Sequence, residues 1–167
     1  MRTRFILFFF CILFVACSTD DGSYTKPISL YEKVGGTWNL TRMRQVDEQA
    51  VAAGSGTTEM DLSEFFENFT LKLDENEDGT PSTFSASGAP ALLPESGYWK
   101  LERAFQNWDG TPVRVFFYSD QACTQQTGVV SITAVPGSVP TMELTLTRRY
   151  NGAAFVSYVY TLIPVMQ

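Results

Sequence analysis

Histidine is absent from all 167 residues. That excludes a Ser-His-Asp or Cys-His nucleophilic arrangement and an imidazole-based zinc site. Cysteine is scarce too, with only Cys11, Cys17 and Cys123 present. Cations are outnumbered, 12 Lys and Arg standing against 18 Asp and Glu. Such a chain repels phosphate backbones, so nucleic acid is not an expected partner. Nowhere is there an apolar run of the about 20 residues a membrane-spanning helix needs. Nor is there an amphipathic pattern long enough for a substantial helix, or an internal repeat.

What is present falls into two parts. Met1-Arg2-Thr3-Arg4 is a short basic start, and residues 5–15 form an eleven-residue apolar run. With small residues at its end, this is the plan of a secretory signal. Phe14-Val15-Ala16-Cys17 resembles the lipobox of bacterial lipoproteins, which implies a signal peptide over residues 1–16 and acylation of Cys17. An ordinary signal peptide is the alternative. Loss of Arg2 and Arg4 with the signal leaves ten cations against 18 carboxylates, a net charge of −8. Attachment to a membrane would then come from the acyl chains on Cys17, because an acidic chain gains little from anionic lipid.

If Cys11 leaves with the signal and Cys17 carries lipid, Cys123 stands alone and no intramolecular disulfide is expected. Without a base to activate it, Cys123 reads as a buried or half-buried structural thiol. Residues 17–27 read as a tether, acidic and almost free of apolar side chains, so they cannot bury enough surface to order themselves. Asp20 and Asp21 resemble the export signal of surface lipoproteins in the Gram-negative phylum that includes gut glycan degraders; a solvated spacer is the alternative. The expected location is the outer membrane, on either its periplasmic or its outer face.

Residues 28–167 read as one β domain. Ser29 is placed to cap a single helical turn that Gly35 or Gly36 stops. Beyond it, Phe69, Leu71 and Leu73 alternate with Thr70 and Lys72; Trp99, Leu101 and Phe105 with Lys100, Glu102 and Ala104; and Met142, Leu144 and Leu146 with Glu143, Thr145 and Thr147. This period of two marks half-buried antiparallel strands. Residues 38–46 form a further strand with mixed faces, and residues 155–163 one that is apolar on both. Asp78-Gly79, Asp109-Gly110 and Asn151-Gly152 accept the positive φ angles of type I′ hairpin turns. About eight strands joined by hairpins are most simply closed as an antiparallel up-and-down barrel, which leaves no sheet edge open.

Gly36-Thr37-Trp38 resembles the G-x-W motif that opens the first strand of lipocalins, and Gly97-Tyr98-Trp99 repeats it. The chain is similar, over residues 30–164, to lipocalin-like bacterial lipoproteins of unknown function. The resemblance implies an eight-stranded barrel with a short N-terminal helix. It further implies that Trp38 closes one end beneath an Arg late in the chain, here Arg148 or Arg149, and that the first long connection, residues 47–64, lies over the mouth; a lid is expected there, with a disordered surface loop as the alternative.

Candidate sites are few. Asp74-Glu75-Asn76-Glu77-Asp78-Gly79 begins like a calcium loop, but Pro81 and Ser85 break the pattern and a solvated hairpin turn is expected. Glu102, Asp109 and Glu143 are the carboxylates in or near strands, with no spacing that brings a glycosidase pair together. No catalytic residue, metal or cofactor is expected. Trp99, Phe105, Trp108, Tyr118 and Tyr158, among the other aromatics, are candidates to line a ligand cavity, since an eight-stranded barrel is just wide enough for side chains or one small ligand. Phe116 and Phe117 must face opposite ways, so at most one points inward. A binding module for a small apolar or glycan ligand predicts a roomy barrel. A structural or accessory interaction protein predicts a filled one with exposed apolar surface, and an enzyme predicts perturbed carboxylates in a cleft.

Overall fold

A computed structural model describes residues 25–56, 58–88 and 92–166. The expected signal peptide and Cys17 lie outside the described residues, as does most of the tether. The element order is α1 (Leu30–Val34), β1 (Gly36–Asp47), α2 (Glu48–Ala52), β2 (Glu59–Asp61), a 3-10 turn (Ser63–Phe66), β3 (Thr70–Glu75), β4 (Pro81–Ser87), β5 (Ser96–Leu101), β6 (Val113–Tyr118), β7 (Gln126–Ala134), β8 (Met142–Tyr150) and β9 (Ala153–Pro164). Strands β3 to β9 pair antiparallel in chain order, and β1 joins β3 on one side and β9 on the other. The sheet closes into the expected eight-stranded up-and-down barrel, with the short β2 added beside β1.

The period of two decides which side chains fill it. Leu71 and Leu73, Phe84, Trp99, Val115 and Phe117, Ile132, Met142 and Leu144, and Tyr160 and Leu162 all point inward and are buried. Each aliphatic or aromatic side chain so buried contributes roughly 1.5–3 kcal/mol. Phe117 packs on Phe84 with ring centroids 4.5 Å apart, while Phe116 faces out beneath the Arg114 guanidinium, 5.2 Å away. In β1 the mixed faces have a cause. A bulge between Leu40 and Arg42 adds one residue and reverses the alternation, so Trp38, Leu40 and Met43 share the inner side. On β9 the outer pair Ser157 and Val159 is buried beside Thr147, Thr145 and Arg44 of the flanking strands.

One end of the barrel is sealed. Helix α1 carries the capping box, Ser29 Oγ accepting from the Glu32 backbone and the Glu32 carboxylate from the Ser29 backbone, and it buries Leu30 and Val34. Trp38 donates its Nε1 to the Val34 carbonyl at 2.8 Å, and Trp99 donates to the Asp74 carbonyl at 2.8 Å. The expected Arg over Trp38 is not there. Trp38 pairs with Pro164, whereas Arg148 pairs with Val156, eight residues away along β9 and at the opposite end.

Of the three expected type I′ turns, only Asn151-Gly152 has both residues at positive φ (48° and 82°). At Asp78-Gly79 and Asp109-Gly110 only the glycine is positive, because the Asp side chain instead accepts from the backbone of Thr80 or Thr111. Residues 74–79 form the expected hairpin turn, closed by Asn76 N–H to the Thr80 carbonyl at 2.8 Å. Strand β5 ends at Leu101, so Phe105 lies in the following loop and not on the inner face.

Candidate functional site

The strands differ in length. β1 and β9 have 12 residues each and β8 has 9, against 6 or 7 in β3 to β6. The long wall therefore outruns the rest of the barrel at the end away from α1, and its inner face continues past the core, with Tyr158 packed on the core's edge. On that face Gln45 pairs with Tyr158 and Asp47 with Val156. Together with Gln49 of α2, and with Tyr150 and Phe155 flanking the β8–β9 turn, they line an open cleft of about 680 Å³. A second cleft of about 430 Å³ lies between residues 92–94 and the facing ends of β7 and β8, where Arg148 sits.

The core below the rim is occupied by side chains. One rung deeper than Tyr158 lies Tyr160, fully buried, its ring 5.3 Å from that of Phe69. Its hydroxyl has no hydrogen-bond partner among the described residues, and burial pushes its pKa far up despite the nearby Arg148.

The five expected cavity residues are not brought together. Trp99 is a core residue at the sealed end, with Tyr31 edge-on to it at 6.1 Å. Phe105 and Trp108 are exposed on the β5–β6 loop at that same end, Trp108 with 98% of its surface free. Tyr118 ends β6 opposite Tyr98, alternating with the inward Phe117 and so on the outer side. Tyr158 alone of the five lines the rim cleft. Gln45, Gln49, Tyr150 and Phe155 were not singled out in the sequence. Their one signal is the Asn151-Gly152 turn, which puts Tyr150 and Phe155 on opposite strands near the tip of a long hairpin.

The first connection differs from a lid. Asp47 caps α2 through the backbone N–H groups of Gln49 and Ala50, and β2 pairs with β1. Leu62 N–H donates to the Met43 carbonyl, Met43 N–H to Ser63 Oγ, and Leu62 and Phe66 pack on the core. Residues 59–66 thus extend the barrel wall where β1 parts from β3, instead of hanging across the mouth.

The carboxylates weighed for glycoside chemistry each have a local partner. Glu102 holds Arg114 at 2.8 Å, which keeps its carboxyl below the usual range; Asp109 accepts from Thr111 and is lowered likewise; Glu143 faces Arg44 at 3.6 Å. Cys123 is half-buried in the β6–β7 loop at a φ of 54°. No group of three or more acidic or cysteine side chains suited to a metal is found among the described residues, and no helix among them is long and apolar enough to cross a membrane.

No curated protein and no solved structure matches the chain. The profile of the family described as Domain of unknown function (DUF5004) matches residues 15–163, and with most of its length covered the chain belongs to that family.

Proposed function

We propose that this protein is a lipoprotein of the outer membrane, held by acyl chains on Cys17, that binds a glycan-type ligand at the rim of its barrel and has no catalytic role. The rim cleft carries the proposal. Tyr150, Phe155 and Tyr158 offer aromatic faces next to the amides of Gln45 and Gln49, the pairing of apolar surface with a few polar groups that a ligand site needs. A filled core leaves the rim, not a calyx, as the place for a ligand of this kind. The lipobox-like Phe14-Val15-Ala16-Cys17 supports the anchor, and the lack of histidine together with locally paired carboxylates supports binding over chemistry. The lipocalin-like resemblance of the two G-x-W motifs fits the barrel but supplies no ligand.

Calorimetric titration with neutral oligosaccharides such as maltoheptaose and cellohexaose tests the site. Binding that Tyr158→Ala and Tyr150→Ala abolish supports it, and no binding to any member of the panel removes it. In that event the filled barrel favours the second reading, a structural or accessory interaction protein of an outer-membrane complex. Mass analysis of the Cys17 peptide, with Cys17→Ser as control, tests the anchor separately.

A further inference from the structure

Apolar side chains that should be buried stand in the open at the sealed end. Trp108 is the extreme case, almost wholly exposed while Trp38 and Trp99 are buried. Phe105 shares its loop, Val139 projects from the β7–β8 loop, Ile28 precedes α1, and Val165 and Met166 follow β9; all are exposed. The topology puts these segments together. Trp38 at the start of β1 pairs with Pro164 at the end of β9, Leu30 N–H donates to the Ala104 carbonyl at 2.7 Å, and Val113 pairs with Ile132 near the β7–β8 loop. The loop holding Trp108 is braced from within, by Asn107 to the Thr111 carbonyl at 2.8 Å and by Arg103 to Asn107.

The chain also joins the barrel at this end. Leu30, tied to the β5–β6 loop through Ala104, is thirteen positions after Cys17, so an anchor there holds the sealed end within about 45 Å of the lipid. Trp at the boundary between water and hydrocarbon is favoured because its ring is apolar on one side and polar at the N–H.

We propose that the sealed end is a membrane-contacting face, with Trp108 and Phe105 set into the headgroup layer of the bilayer that holds the acyl chains. This rests on the lipid-anchor reading. The contact is apolar, since Glu77 and Asp78 at the β3–β4 turn of the same end oppose attraction to anionic lipid. Its consequence is orientation: the rim cleft, at the other end, points away from the membrane.

The three tryptophans supply the test, because only Trp108 is exposed. The full-length chain, purified from membranes and reconstituted into phosphatidylcholine vesicles, is read by tryptophan emission with lipids brominated on their acyl chains; flotation separately reports attachment. Expected is loss of the Trp108 share of the emission, defined by Trp108→Ser, with no gain when anionic phosphatidylglycerol is added. Protein that floats while Trp108 stays unquenched and open to aqueous acrylamide overturns the membrane face and leaves the anchor standing. Protein that does not float overturns both.

Discussion

Trp38 and Trp99, one in each G-x-W, are held in the same way. Each indole is buried in the sealed end and each Nε1 donates at 2.8 Å to a backbone carbonyl outside its own strand, Val34 in one case and Asp74 in the other. Replacing either by Phe keeps most of the packing but strands a carbonyl, a cost of about 1–3 kcal/mol. Ala at either site should cost about 3–5 kcal/mol. Denaturant unfolding of the four variants measures this, and a Phe variant as stable as wild type would show the bond contributes nothing.

Gly97 opens the second motif at a φ of 152°, and a methyl group there would run into the Tyr118 carbonyl. Gly97→Ala should therefore destabilise by about 1–3 kcal/mol. Thermal unfolding is the check. No change in melting temperature would mean that β5 and β6 are not packed as closely as described.

The Tyr160 hydroxyl is buried without a partner among the described residues. An unsatisfied buried polar group costs about 1–3 kcal/mol, so Tyr160→Phe should raise the melting temperature. A fall would contradict this, by revealing a partner for the hydroxyl.

Glu75 lies against Gly35, and burial, followed by repulsion from Glu32, holds its carboxyl above the usual range. A group raised in this way stabilises the fold most below its unfolded pKa of about 4.3, and that contribution is lost as pH rises through the folded value. Glu75→Gln should thus melt above wild type at neutral pH, with the gap closing in acid. Melting curves from pH 3 to 7 on both proteins decide it, and a gap that widens in acid would contradict the assignment.

The barrel was legible because alternation along the strands maps directly onto inside and outside, and because Ser29, Gly35 and Asn151-Gly152 mark their turns through local chemistry. The bulge at Leu40 and Arg42 was visible only as the mixed faces of residues 38–46, since nothing local in the sequence marks an inserted residue. The rim cleft was hidden for a different reason. It depends on β1 and β9 outrunning β3 to β6, a difference in strand length that appears only once register is known. Aromatic content alone could not separate the core Trp99 from the exposed Trp108. Residues 47–64 read as a lid because their pairing to β1 is made largely by backbone groups, to which composition is blind.

The claim that this filled barrel binds at its rim is tested most directly by mapping amide shifts in the isotopically labelled protein during titration with the same neutral oligosaccharides. Shifts confined to Gln45, Tyr150, Phe155 and Tyr158 and their neighbours are the expected result. Shifts centred on Trp99, Phe117 and Leu144 would place the ligand inside the barrel and contradict it.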